Sequence, residues 1–340
     1  GAGPSGFAAA MRAIDFGKRV ALVERNKVGG AGIFDGALSS KTLWELSESY
    51  QLTHNTNLGY TVYDSEVHFS SVMHQAHRAV AEKHVQLKKQ ISYFEKTGRL
   101  TFFNGHAKFA SKNEVTITDA EGAPQTIWAD NTVMAVGSRP RYLPNIPIDE
   151  KIILTSDGVS SLPDFPKSIV ILGAGVIGCE FATIFSNFGK TKVFLIDKEE
   201  RILPFEDEDI SHAVAANLED NGVMIHHGAS LEKMSIVDGK VEYVLNYKDG
   251  RRETHTVEKA LISVGRVSNC ENLGLEAAGV VLNDRGCIDD EHTRSNVPNI
   301  YAVGDFTADI SLVNVGELEG RHAVERMFGK PKRELVYENI

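Results

Sequence analysis

The sequence predicts an α/β chain of two doubly wound nucleotide-binding units, and three observations carry that prediction. First, G-x-G-x-x-G occurs twice, as Gly1-Ala2-Gly3-Pro4-Ser5-Gly6 and as Gly173-Ala174-Gly175-Val176-Ile177-Gly178. Glycines so spaced give a tight turn, let backbone approach a pyrophosphate, and allow close helix–strand packing. Second, an acid follows each copy at the expected distance. Glu24 lies 23 residues after Gly1 and ends the run Arg19–Val23, while Asp197 lies 24 residues after Gly173 and ends Lys192–Ile196. A carboxylate there accepts hydrogen bonds from the 2′ and 3′ hydroxyls of an adenosine ribose. Third, strand-like and helical periodicities alternate around both motifs, as βαβ units require. One glycine-rich turn is weak evidence, but two copies with two acids mark a chain that binds two dinucleotides.

The elements follow in order. A helix over Ser5–Phe16 leaves the first turn, and another over Ser40–Leu52 precedes an Asn55–Gly59 loop. A long polar helix runs from Phe69 to Thr97. Alternating segments from Leu100 to Ile127 read as a meander inserted in a parallel sheet, with turns at Asn104-Gly105, Ser111–Asn113 and Glu121-Gly122. Thr132–Val136 returns to the sheet, and Pro140–Pro147 reads as a linker. Ile169–Gly265 forms the second βαβ unit with its own meander, including Gly239–Leu245. From Ser268 the chain completes the first unit. There Asn299–Val303 is an apolar run ending in Gly304-Asp305, ahead of a helix-like stretch from Glu317 to Met327. A carboxylate at the mouth of a strand is placed to hold a sugar-alcohol chain. FAD has a ribityl chain and NAD has none, so the first unit is read as the FAD domain and the inserted one as the NAD domain. The expected boundaries are 1–147 and 267–335 for FAD, 148–266 for NAD, and 336–340 as the start of a further domain.

Composition narrows the class. A chain of 340 residues with 42% hydrophobic content is long for a single core. The net charge of −10 and the absence of basic–aromatic interleaving argue against a nucleic-acid partner. No stretch approaches the ~20 apolar residues of a membrane span. The three cysteines, Cys179, Cys270 and Cys287, have neither C-x-x-C nor zinc-like spacing. They suit a reducing compartment, and the cytoplasm is the expected location. Cys179 follows a phosphate-binding turn, where a helix N-terminus can activate a thiol, yet a small residue packing helix on sheet is the simpler reading. His74, His77 and His84 share a helical face and are read as a wet surface. His226 and His227 alternate in a strand pattern and cannot chelate together. No metal site is expected.

In order, the motifs are Gly1–Gly6, Glu24, Gly29-Gly30, Ser40-Lys41, Ala135–Pro140, Gly173–Glu180, Ser263–Arg266 and Ala302–Asp305. This series resembles the class I pyridine nucleotide–disulfide oxidoreductases along essentially the whole chain, in particular their dihydrolipoamide dehydrogenase-like and soluble pyridine nucleotide transhydrogenase-like members. The resemblance implies two Rossmann-like domains, a homodimer, and hydride transfer from NADH to FAD. It implies FAD contacts from Gly1, Gly3, Pro4, Ser5, Gly6, Glu24, Gly30, Lys41, His106, Ala107, Gly137, Ser138, Arg139, Gly304 and Asp305. It implies NAD contacts from Gly173, Gly175, Val176, Ile177, Gly178, Glu180, Asp197, Lys198, Leu231, Gly265 and Arg266. Lys41 and Glu180 match a family pair that meets beside the flavin, where a cation stabilises charge on the reduced ring. The family has a strand before the first fingerprint and a C-terminal dimerisation domain that supplies a His–Glu pair. The chain is therefore expected to belong to a longer protein.

One departure bears on chemistry. The family pattern G-G-x-C-x-N-x-G-C-x-P-x-K carries the redox disulfide, and here it reads Gly29-Gly30-Ala31-Gly32-Ile33-Phe34-Asp35-Gly36-Ala37-Leu38-Ser39-Ser40-Lys41. Gly32 and Ala37 replace the cysteines, Phe34 the asparagine and Ser39 the proline. Dithiol–disulfide exchange cannot run without sulfur. The expected activity is NADH oxidation through FAD to an unidentified acceptor, with the space left by Gly32 and Ala37 as its point of entry. Two other readings stay open: a disulfide reductase using cysteines from elsewhere, and an FAD-binding protein without turnover.

Overall fold

A computed structural model of the protein describes residues 1–307, 309–329 and 335–337. Contacts divide the chain into two units, Gly1–Ala37 with Val80–Arg139 and Val267–Ile340, and Leu38–Ala79 with Pro140–Arg266. Helix α1 (Pro4–Asp15) leads to β1 (Val20–Glu24), a short α2 (Gly30–Phe34), α3 (Ala37–Leu52) and α4 (Phe69–Lys96). Strands β2 (Leu100–Phe109), β3 (Glu114–Asp119), β4 (Pro124–Trp128), β5 (Thr132–Met134) and β6 (Ser138–Pro140) follow. Next come β7 (Ile153–Thr155), β8 (Ser168–Leu172), α5 (Val176–Asn187), β9 (Lys192–Ile196), α6 (Glu208–Asp220) and β10 (Met224–His226). The remainder is β11 (Ala229–Val237), β12 (Lys240–Tyr247), β13 (Arg252–Val257), β14 (Lys259–Ile262), β15 (Arg266–Ser268), α7 (Leu275–Ala278), β16 (Ile300–Ala302) and α8 (Val313–Phe328).

The second unit contains a parallel sheet in the order β10-β9-β8-β14-β7 and an antiparallel β11-β12-β13 meander. A parallel sheet covered on both faces needs strands that are apolar throughout. Ile169 and Ile171 of β8 join Val193 and Leu195 of β9 in the core that holds Phe181, Ala182 and Phe185 of α5. Val170, Leu172, Phe194 and Ile196 face a different core with Val241, Tyr243 and Leu245 of the meander. Each strand thus feeds two cores through its twofold alternation.

Within the first unit β1 runs parallel to the start of β2, and β2, β3 and β4 form an antiparallel meander. Strand β16 pairs in parallel with β5. Helix α1 packs closely on α8, because a Cβ at Gly320 would lie 2.2 Å from the Ser5 carbonyl oxygen. The expected turn at Asn104-Gly105 is absent. Those residues lie inside β2, which pairs with β1 through Asn104 and with β3 from Gly105. Glycine is needed there for close approach, since a Cβ would sit 2.5 Å from the Thr118 carbonyl oxygen.

Leu38–Ala79 clusters with the second unit, whereas the sequence reading placed it in the first. Leu43 of α3 and Phe69, Val72, Met73 and Ala76 of α4 share one core with Ile169 and Phe181. The expected domain start at 336–340 falls mostly outside the described residues. Among the described residues no helix is long and apolar enough to cross a membrane.

Candidate functional site

The two fingerprints adopt the same local construction. At the first, Glu24 accepts from the Ala2 N–H at 2.7 Å and from the Asn26 N–H at 2.8 Å. At the second, Asp197 accepts from the Ala174 N–H at 2.6 Å and from the Glu199 N–H at 2.9 Å. Each acid thus grips the second residue of its fingerprint and the residue two places beyond itself. Each carboxylate oxygen takes one of these bonds, and a carboxylate has about four acceptor sites, so both retain capacity for ribose hydroxyls. Helices α1 and α5 open on Gly3 and Gly175 with no side-chain cap, leaving first-turn N–H groups available to an anion. The third glycine of each motif seals the turn. A Cβ at Gly6 would lie 2.0 Å from the Gly1 carbonyl oxygen, and one at Gly178 would lie 1.9 Å from that of Gly173. Pyrophosphate groups fit both sites: the backbone is bare, the helix N-termini are uncapped, and the flanking carboxylates are half-engaged.

Other residues expected to contact FAD lie in the first unit. Gly30 adopts φ +54°, and its Cβ would come within 3.1 Å of the Gly3 Cα. Ser5 lies against Gly304 and Gly316, where a Cβ would meet its hydroxyl. Ser138 Oγ donates to Asp305 at 2.5 Å, bringing those two residues together. The Gly137 carbonyl accepts from Asn269 N–H at 3.0 Å. Arg139 is engaged by Glu271 at 2.5 Å and by the Ser268 carbonyl at 3.2 Å, and its guanidinium holds Glu271 below the usual carboxylate range. His106 and Ala107 lie on β2, with His106 Nε2 at 3.1 Å from the Asn272 carbonyl.

In the second unit Lys41 Nζ pairs with Glu180 Oε1 at 2.6 Å, and Ser40 Oγ donates to the same oxygen at 3.2 Å. Val176 is exposed and Ile177 half-buried at the start of α5, and exposed Lys198 lies 3.6 Å from Glu199. Leu231 sits at a register shift in β11. Gly265 adopts φ +100° and its carbonyl accepts from Arg141 N–H at 3.0 Å, while Arg266 opens β15.

Sequence reasoning missed Glu319. It is fully buried and accepts from Gly304 N–H at 2.6 Å and from the Tyr337 hydroxyl at 2.9 Å, so it anchors the turn that presents Asp305. Burial pushes its carboxyl up to about 7. Its sequence position on α8 carries no signal of that bond, which depends on how α8 packs. Cys179 is a packing residue: burial, with the Asp197 charge, pushes its thiol up to about 12. His74 and His77 are exposed as expected. His84 is not: its Nδ1 lies 2.8 Å from the Val28 carbonyl and its ring meets Phe34 edge-on at 5.2 Å.

The expected space at Gly32 is also absent. A Cβ there would lie 2.7 Å from Pro4 Cγ and 3.2 Å from Val313 Cγ2. Proline is rigid, so the position is closed by the residue that follows Gly3, the N-cap of α1.

The family described as "Pyridine nucleotide-disulphide oxidoreductase" matches residues 1–320. A dihydrolipoyl dehydrogenase of Bacillus subtilis (strain 168) is 34% identical over 100% of this chain and 71% of its own length. A soluble pyridine nucleotide transhydrogenase of Marinomonas sp. (strain MWYL1) is 33% identical over 99% of this chain and 72% of its own. Among solved structures, LpdA from Mycobacterium tuberculosis superposes with a TM-score of 0.89 at 24% identity, covering 100% of this chain and 74% of that one.

Proposed function

Because this chain belongs to the pyridine nucleotide-disulphide oxidoreductase family and is an FAD-dependent oxidoreductase, we propose that it takes hydride from NADH and delivers electrons to an acceptor other than a resident disulfide. The observation that carries this reading is the Gly32–Ala37 segment. Neither family thiol position has sulfur, and the backbone at Gly32 is packed against Pro4 where a side chain would go. Phe34, at the family's asparagine position, has the Lys27 ammonium 4.8 Å from its ring centroid and packs on the His84 ring at 5.2 Å and 71°. The loop is thus built around different contacts, which supports natural remodelling over simple loss of two thiols.

FAD, when bound, supplies the hydride-accepting centre and passes the electrons on. The chain's own residues bind and orient. The open N-terminus of α1 and Glu24 hold the adenosine pyrophosphate and ribose, with Asp305, steadied by Ser138, on the ribityl side. The N-terminus of α5 and Asp197 do the same for NADH. Lys41 brings a positive charge whose strength the Glu180 carboxylate moderates at 2.6 Å. The homodimeric state implied by the family resemblance and the cytoplasmic location expected from the three unpaired cysteines belong to this proposal as well.

Preference for NADH over NADPH follows from the second unit. Asp197 repels a 2′-phosphate, and Arg201, four residues on, is turned away onto the Pro204 and Glu206 carbonyls at 3.1 Å each. Asp197→Ala should raise KM for NADH by about 10- to 150-fold, a charge-assisted bond being worth ~1.5–3 kcal/mol. It should also narrow the preference measured by kcat/KM. Equal kcat/KM for the two nucleotides in the parent protein would contradict this.

The proposal is tested by assaying one preparation two ways. NADH-dependent reduction of an artificial dye should be measurable, while dihydrolipoamide-dependent NAD reduction should stay at background. A lost covalent participant takes its whole route with it. Robust lipoamide turnover would refute the reading.

A further inference from the structure

We propose that His226, Glu253 and His255 form a binding site for a divalent transition-metal ion of the zinc type within the second unit. One ligand atom from each lies within 4.8 Å of the others. The sheet explains the convergence. Glu253 and His255 are two apart on β13 and so share a face, and His226 is the last residue of β10.

The three are already linked through one carboxylate oxygen and a phenol. His255 Nε2 lies 3.1 Å from Glu253 Oε2, to which the Tyr247 hydroxyl also donates at 3.1 Å. His226 Nδ1 lies 2.7 Å from that same hydroxyl. Glu253 Oε1 is engaged by Arg251 at 3.1 Å, so Oε2 is the oxygen turned to the histidines. Both imidazoles are fixed by stacking. Phe194 lies on His226 at 6.0 Å with planes 14° apart, and Tyr243 lies on His255 at 5.2 Å with planes 21° apart.

Two further features favour a cation. His226 Nε2 is a buried polar atom with no hydrogen-bond partner among the described residues, and such an atom calls for a ligand. Side-chain exposures of 27% for His255 and 35% for Glu253 leave an entry path and let the carboxylate rotate onto an ion at ~2.0–2.2 Å. Two imidazoles with one carboxylate suit Zn²⁺ and its neighbours in the transition series and not Mg²⁺ or Ca²⁺, which favour all-oxygen sites.

The test strips the flavin-loaded protein with a chelator, exchanges the buffer, and titrates Zn²⁺ against a chromogenic chelator. About one equivalent should bind per chain. His255→Gln and Glu253→Gln should each weaken it more than about tenfold. Neither side chain is buried, so these two variants remain informative if His226→Gln fails to fold. The exposed His74→Gln, His77→Gln double variant should bind as the parent does. Absence of binding, binding that survives His255→Gln and Glu253→Gln, or equal competition by Mg²⁺ would overturn the proposal.

Discussion

Gly6→Ala should yield protein that loses FAD, and Gly178→Ala protein that keeps FAD but is reduced poorly by NADH. Both substitutions place a methyl group about 2 Å from a carbonyl oxygen, on Gly1 in one case and Gly173 in the other. That oxygen belongs to the first residue of the turn it would distort. Relief requires the turn to open or the helix to slide outward, and either moves the N–H groups away from the pyrophosphate. Overpacking of this kind costs ~1–3 kcal/mol, which corresponds to about 5- to 150-fold in affinity. Flavin content by absorbance and KM for NADH separate the two effects. Retained flavin in Gly6→Ala, or an unchanged KM in Gly178→Ala, would mean that the fingerprints do not hold the nucleotides assigned to them.

The Gly32→Cys, Ala37→Cys double variant should gain little or no dihydrolipoamide-dependent NAD reduction. Any side chain introduced at Gly32 would push on Pro4, the residue between the bare N-cap Gly3 and the rest of α1. It would disturb the flavin cradle before offering a thiol to it. Phe34, pinned by Lys27 and His84, holds α2 in an arrangement built without a disulfide. The double variant should therefore show a lower flavin content than the parent, measured by absorbance ratio. Full lipoamide turnover with normal flavin content would show that the loop still has the disulfide geometry.

What the sequence made legible was local. The two fingerprints and their acids are short-range patterns, and the structure closes both with the same pair of backbone bonds. The strands and helices of the second unit follow from apolar runs whose alternation feeds two cores. Long-range packing was not legible. An Asn-Gly pair usually marks a turn, yet Gly105 serves the place where β2 changes partner. Leu38–Ala79 reads as a continuation of the first unit because it follows α2, but its apolar face is buried with Ile169 and Phe181. Glu319 and the His226–Glu253–His255 group depend on residues brought together by helix and sheet packing, which no spacing rule encodes. The closed position at Gly32 belongs to the same class, because only the placement of Pro4 and Val313 reveals it.

Whether electrons bypass a resident disulfide is decided by the absorbance spectrum recorded as the oxidised flavoprotein is mixed anaerobically with NADH. A dithiol beside a flavin gives a long-wavelength charge-transfer band once it is reduced. With Gly32 and Ala37 at the two thiol positions, and Cys179 buried with its thiol pushed up to about 12, the flavin absorbance should bleach without that band. Adding a dye acceptor should then restore the full oxidised spectrum. A charge-transfer band near neutral pH would refute the disulfide-free route, because it would place a thiolate against the flavin.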